Sequence, residues 1–168
     1  MIAAVLVVVG LFGGACSTEQ PTPAPQEAAT VEPVTVDEVA PVQVSVGSAT
    51  SVRVPVEVAS GFRVQANPAS NQFLVPLELA LEAVDGVEIG DPVYPEGQPY
   101  RLQGTDEDLS TYQGDIEIVV ALTVPDSAPV AEHVVTGELR FQACNSKVCL
   151  FPSSVPVTLR VVVTRESP

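Results

Sequence analysis

Apolar and polar residues alternate with a period of two over much of the chain after Pro41. Five stretches carry an apolar side chain at every second position: Val52–Val58, Phe73–Leu81, Ile116–Val124, Leu139–Ala143 and Val155–Val163. Successive side chains of a β-strand point to opposite faces, so this spacing predicts strands with one buried face. Leu, Glu and Ala around residues 77–84 are also good helix formers, but the strict alternation and Pro76 favour a strand there.

Turn signals separate these stretches. They are Ser60-Gly61, Asn67-Pro68, Asp85-Gly86, Gly97-Gln98-Pro99 and Pro125-Asp126. Seven or more short strands with turns at such spacing suggest two packed antiparallel sheets. We therefore predict an all-β chain whose residues 42–166 form one immunoglobulin-like antiparallel β-sandwich domain.

The first residues have the pattern of an export signal. Met1–Phe12 is an apolar run interrupted only by Gly10, which is too short to span a bilayer but fits the core of a secretory signal. The small residues that follow end in Cys16, and this stretch resembles the lipobox of bacterial lipoproteins. The resemblance implies a signal peptide over residues 1–15 and lipid attachment at Cys16. An ordinary cleaved signal, with Cys16 as a bystander, remains the alternative.

Residues 16–41 are predicted to tether the domain to a membrane. Five prolines alternate there with Thr, Ala, Gln and Glu, and no apolar periodicity is sustained. Proline fixes φ and donates no backbone hydrogen bond, so such a segment prefers extended, solvated conformations. We expect an exported protein of the cell envelope or periplasm that touches the bacterial membrane through its lipid anchor alone.

Composition excludes several classes of function. The chain has 168 residues, with 7 Lys and Arg against 21 Asp and Glu, which gives a formal net charge of −14. That charge excludes nucleic acid as a partner of the whole molecule. One histidine and three cysteines are too few for a zinc-finger cluster, and we expect no metal or organic cofactor.

Cys144 and Cys149 lie on a compact bend between the strands predicted over residues 134–143 and 155–163. If they face each other, their Cα atoms should be about 5.5 Å apart, which permits a disulfide. A loop this short gives a disulfide only about 2 kcal/mol of stabilisation. This weak structural rationale leaves room for redox chemistry. A purely structural clip is the alternative.

Lys147, the only lysine, sits between these two cysteines. A nearby cation favours the thiolate, which is the form that attacks disulfides. A solvated loop residue is an equally good interpretation of Lys147.

Three segments resemble the N-terminal periplasmic domain family of the thiol:disulfide interchange protein DsbD. Phe141–Pro152 resembles its active-site segment. Gly61–Pro76 is similar to its Gly-aromatic-His-hydrophobic run, Asn-Pro turn and "Leu-Ile-Pro" strand, with Arg63 where His is frequent. Leu109–Asp115 is similar to its "Leu-Ser-x-Tyr-x-Gly" motif. The resemblance covers roughly residues 45–165, in the family's order and spacing.

The resemblance implies a thiol–disulfide interchange module of the protein-disulfide reductase type. Cys149 would form the mixed disulfide with a partner, and Cys144 would resolve it. The implied partners are thioredoxin-fold or other disulfide-bearing extracytoplasmic proteins, with a separate membrane reductant as electron source. The family covers its cysteines with an aromatic loop, for which Asp91–Arg101, with Tyr94 and Tyr100, is the plausible counterpart. Ordinary core or rim aromatics are the plainer interpretation of both tyrosines.

Other functions remain to be compared with this one. A non-catalytic immunoglobulin-like binding or scaffold lipoprotein would use the hairpin disulfide only as a clip, and the fold alone does not exclude it. A Cu(I) metallochaperone is a weaker alternative, because the two thiols have no His or Met near them in the sequence. A hydrolytic triad would require His133, which has no supporting motif.

Overall fold

The computed structural model describes residues 32–101, 104, 106 and 108–165. The predicted signal peptide, Cys16 and residues 17–31 of the predicted tether lie outside these residues. Within the described part of the chain, every regular element is a β-strand, and no helix is long and apolar enough to cross a membrane. In chain order the strands are β1 (Val34–Val36), β2 (Val42–Ser45), β3 (Ala49–Val58), β4 (Arg63–Gln65), β5 (Glu78–Leu81), β6 (Glu88–Ile89), β7 (Gln98–Arg101), β8 (Asp108–Tyr112), β9 (Gly114–Thr123), β10 (Glu132–Phe141), β11 (Ala143–Cys144) and β12 (Ser153–Thr164).

These strands form three four-stranded sheets. The first sheet has the order β1-β3-β9-β6, the second β2-β12-β10-β5, and the third β11-β4-β8-β7. All pairs are antiparallel except β2 with β12, which run parallel. A parallel pair requires a long connection, and most of the domain lies between these two strands. The predicted all-β immunoglobulin-like sandwich is confirmed, with the small third sheet and the parallel pair as additions that the alternation did not predict.

The inner faces of the first and second sheets meet in one hydrophobic core. The predicted apolar faces of β3, β9 and β12 are buried there, as are the smaller faces of β5 and β10. Side chains with essentially no exposure include Val54, Ile118, Leu122, Leu139 and Leu159. The predicted core of β-branched and leucine side chains on these strands is therefore confirmed.

The stretch predicted as one strand over Phe73–Leu81 is a strand only from Glu78 to Leu81. The strand assignment over residues 78–81 is confirmed against the helical alternative. Phe73, however, is 84% exposed and lies in the loop before the strand. Proline has no N–H for a ladder hydrogen bond, so the pairing begins only after Pro76.

Replacing Leu139 by Ala should lower the free energy of unfolding by about 2–5 kcal/mol, because it leaves a cavity where β10 is flanked by β5 and β12. Val134 on the same strand is 52% exposed, and Val134→Ala is the matched control with an expected loss below about 1 kcal/mol. Urea unfolding of both oxidised variants measures the difference. Equal losses would contradict this placement of the core.

Candidate functional site: a hairpin disulfide at the edge of the third sheet

Cys144 and Cys149 face each other directly across a tight hairpin. Backbone hydrogen bonds flank the pair on both sides, from the Asn145 N–H to the Val148 oxygen at 2.9 Å and from the Leu150 N–H to the Ala143 oxygen at 2.7 Å. This pattern makes the cysteines a non-hydrogen-bonded antiparallel pair, the closer of the two pair types. The sulfurs form a disulfide, and the Cα atoms are 3.9 Å apart. The expected distance of about 5.5 Å, which belongs to the hydrogen-bonded type of pair, is therefore wrong.

Asn145 builds the turn between the two cysteines. Its side-chain oxygen accepts hydrogen bonds from the N–H groups of Lys147 and Val148, both at 2.9 Å. Asn is suited to this position because its short side chain can bond to backbone groups two or three residues ahead. Lys147 itself is exposed, and it takes part in none of the ion pairs found among the described residues. Its surroundings match the solvated-loop interpretation.

The third sheet holds the first cysteine in place. β11 pairs with β4, so that Cys144 lies opposite Arg63 and Ala143 lies opposite Val64. Gln65 is two residues beyond Arg63 and therefore lies on the same face of β4, diagonal to Cys144. Its side-chain Nε2 donates a hydrogen bond to the Cys144 sulfur at 3.4 Å.

The two sulfurs have different access to solvent. Cys144 is 2% exposed, because it is enclosed in the third sheet, whereas Cys149 on the returning arm of the hairpin is only partly buried. A molecule that approaches from solvent therefore reaches the second cysteine more readily than the first. Because the reactivity of a cysteine depends on its exposure, the two cysteines should differ in how readily they react with other molecules.

A small pocket beside Cys144 contains one of the two tyrosines considered for a covering loop. Tyr100 lines this pocket with Arg63, and the Arg63 guanidinium carbon lies 4.3 Å from the centre of the Tyr100 ring. Such stacking of a cation on an aromatic face is favourable. Tyr100 thus lies at the rim of the cysteine site, with its ring against the Arg63 guanidinium.

Tyr94 and Tyr112 act as structural side chains. The Tyr94 hydroxyl accepts a hydrogen bond from the Leu79 N–H at 2.8 Å, and the Tyr112 hydroxyl donates to the Pro95 oxygen at 2.9 Å. Burial raises the pKa of both hydroxyls above the usual value for tyrosine, so both remain protonated and hydrogen-bonded. Of the predicted covering segment, only Tyr100 reaches the cysteine pocket.

Exposed apolar side chains flank the outer cysteine in the sequence. Val148, Leu150 and Phe151 are all exposed, and Phe151 has 95% of its surface free. Gln142 connects this arm to the loop that carries Phe73: its Oε1 accepts from the Val75 N–H, and its Nε2 donates to the Leu150 oxygen, both at 3.2 Å. We call the exposed side chains of Phe73, Val148, Leu150 and Phe151 the apolar rim.

Sequence reasoning found the two cysteines but missed Gln65 and the apolar rim. Gln65 stands at a polar position of the alternation, and only the register of β11 against β4 shows that it reaches a sulfur. The alternation predicts a buried Phe73, whereas 84% of its surface is exposed, and no periodic pattern includes Phe151. No group of three or more His, Cys, Asp or Glu side chains within the described residues could hold a metal ion.

Several solved structures are similar to this chain. The N-terminal periplasmic domain of ScsB from Proteus mirabilis has 16% sequence identity and a TM-score of 0.47, and the match covers 75% of this chain and 44% of that one. A type I cohesin of ScaB from Pseudobacteroides cellulosolvens has 13% identity and a TM-score of 0.41, covering 80% of this chain and 94% of that one. At these TM-scores the similarities support no conclusion about function. A comparison with curated proteins found no match.

A protein-family comparison gives a direct assignment. The model described as "Thiol:disulfide interchange protein DsbD, N-terminal" matches residues 30–160, which is most of the chain. The matched region contains both the third sheet and the Cys144–Cys149 disulfide. The predicted thiol–disulfide interchange module is confirmed, and the chain belongs to the family of the N-terminal domain of the thiol:disulfide interchange protein DsbD.

Proposed function

We propose that this domain passes electrons to oxidised extracytoplasmic proteins by opening and closing the Cys144–Cys149 disulfide. The observation that carries the proposal is the asymmetry of the pair, with one sulfur enclosed by the third sheet and the other accessible beside the apolar rim. An attacking thiol must reach a partner's disulfide, and a resolving thiol must only reach its own neighbour. The accessible Cys149 is suited to the first task and the buried Cys144 to the second.

The reaction begins with the reduced domain. The Cys149 thiolate attacks one sulfur of the partner's disulfide, forming a mixed disulfide and releasing the partner's other sulfur as a thiolate that takes a proton from water. The Cys144 thiolate then attacks the Cys149 sulfur, which forms the internal disulfide and releases the partner's second sulfur as a thiolate. The partner gains two electrons and the domain loses two. The thiols need no metal or organic cofactor for this exchange.

The domain must be reduced again by a source outside its own described residues, which contain no cysteines besides this pair. We assign that role to a separate membrane reductant. The apolar run over Met1–Phe12, which has the pattern of a secretory signal, supports an exported protein here. The predicted tether over residues 16–41 is too long, because Val34–Val36 pairs with β3 and Val34 is buried in the core. Lipid attachment at Cys16, with a tether that ends before residue 34, would keep the domain close to such a reductant.

The apolar rim is suited to docking a partner. Exposed aromatic and aliphatic side chains beside a reactive sulfur give a partner a surface to bury before the sulfurs meet. Thioredoxin-fold proteins with a disulfide in their active site are the class of partner that we propose.

Changing Cys144 to Ala in the full chain should trap the mixed disulfide. The reduced variant, mixed with a thioredoxin that retains one active-site cysteine as a mixed disulfide with thionitrobenzoate, should accumulate an adduct on Cys149, because neither active site then contains a second thiol that would release it. Peptide mass spectrometry assigns the modified sulfur, and Cys16 is the same in every variant.

The matched control is Cys149→Ala, whose remaining thiol, Cys144, is buried. We expect at least about tenfold less adduct on Cys144, because access controls exchange. Comparable labelling of the two sulfurs would contradict the roles proposed here. A structural clip, the alternative function, predicts that the disulfide of the unchanged chain resists mild dithiol reductants while the domain is folded.

Phe151→Ser should slow reduction of oxidised thioredoxin by about tenfold, the loss expected when one well-buried interface side chain is removed. Reduction of glutathione disulfide, which is too small to cover the rim, should change less than about twofold. Val134→Ser, which also alters an exposed apolar residue but lies far along β10, is the control. A parallel loss with both substrates would show that Phe151 serves the hairpin itself rather than docking.

A further inference from the structure

Gln65 is a buried polar residue whose side chain bonds to a reactive sulfur. It has no solvent-exposed surface, and its Nε2 donates to the Cys144 sulfur at 3.4 Å. That contact is the only side-chain hydrogen bond of Gln65 found among the described residues. Its neighbours in the chain, Val64 and Ala66, are also buried, and both are apolar.

The amide of Gln65 is difficult to explain as a stabilising feature of the fold. Its Oε1 atom is buried and has no hydrogen-bond partner within the described part of the chain. An unsatisfied buried acceptor costs free energy, and an apolar side chain of similar shape would avoid that cost. Replacing such a group by an apolar isostere is often neutral or stabilising, which argues that this glutamine is present for its N–H donor.

We infer that Gln65 is a positioning residue for the resolving thiol: its side-chain N–H holds the Cys144 sulfur and stabilises the Cys144 thiolate in the reduced domain. The inference rests on the proposed function, in which Cys144 resolves the mixed disulfide. Burial disfavours a thiolate because the charge is removed from water, and a hydrogen bond donated to the sulfur counteracts that effect. The backbone of Gln65 is fixed on both sides, since its oxygen accepts from the Leu77 N–H at 2.9 Å and β4 pairs with β8.

Gln65 acts in the second step of the exchange. The Cys144 thiolate attacks the Cys149 sulfur, the Cys149–partner bond breaks, and the electron pair leaves with the partner's sulfur. Before the attack the negative charge is on the Cys144 sulfur, which accepts the hydrogen bond from the Gln65 side-chain N–H. Losing the donor should raise the pKa of Cys144, so that fewer molecules carry the thiolate at neutral pH.

The test replaces Gln65 by Met, which has a similar shape and no donor. The reduced full chain is mixed with the aromatic disulfide reagent of Ellman: Cys149 releases one coloured thiolate, and Cys144 then releases the second as it closes the internal disulfide. The rate of the second release, followed against pH, reports the thiolate form of Cys144. Cys16 contributes equally to every variant, and Cys144→Ala identifies the phase that depends on Cys144.

In Gln65→Met we expect the pH midpoint of the second release to move upward and its rate at neutral pH to fall about threefold. The rate should fall by a smaller factor than the fraction of Cys144 thiolate does, because a more basic thiolate is a better nucleophile. For the same reason the rate at high pH should not fall. A residue that only supported the fold would lower the rate at every pH without moving the midpoint.

Thr111→Val is the matched control. Within the described part of the chain, Thr111 is the other buried polar residue. It lies opposite Gln65 on β8, and its hydroxyl donates to the Gln98 oxygen rather than to sulfur. Its profile should equal that of the unchanged chain. Gln65→Leu is a second variant that removes the same donor, and thermal unfolding verifies that each variant is folded.

Two results would separate the inference from the function on which it rests. If the unchanged chain shows no second release dependent on Cys144, the proposed function fails and the inference fails with it. If that release occurs but keeps its midpoint in both Gln65 variants, the function stands and the role of Gln65 is overturned.

Discussion

The two-residue pairing of β11 with β4 is the constraint on which the site depends. It places Cys144 opposite Arg63 inside the third sheet and leaves the next residues to form the hairpin that returns Cys149. Without this pairing both cysteines would stand on an open loop with equal access to solvent. The pairing therefore creates the difference between the two sulfurs, and the same register brings Gln65 to the buried one.

The fold and the disulfide are largely independent of each other. The ladder between β10 and β12 ends at Phe141 and Ser153, so the hairpin with the cysteines projects beyond it. Most residues of the hydrophobic core lie on strands of the first and second sheets, and Ala143 is the one residue of β11 among them. A bond that closes a short loop contributes little to stability, and its opening breaks no strand pair of the main sheets. This independence allows a switch that acts repeatedly in a folded domain.

Much of the fold could be predicted from the sequence, because strands with one buried face leave a period of two. The alternation over β3, β9 and β12 identified core residues such as Ile118 and Leu159. The alternation wrongly included Phe73 in a strand, because apolar spacing alone does not show that strand pairing begins only after Pro76. The cysteines were identified by their spacing and by family resemblance. Gln65 was not identified, because its role depends on the register between strands that lie far apart in the chain.

The central claim is that the Cys144–Cys149 disulfide opens and closes in the folded domain. The most direct test is the reduction potential of this pair in the full chain, measured by equilibration with glutathione and thioredoxin buffers while the fold is monitored by circular dichroism. An exchanging pair predicts a potential less negative than about −300 mV. A potential below about −300 mV, the range of structural disulfides, would contradict the account and leave the bond as a clip.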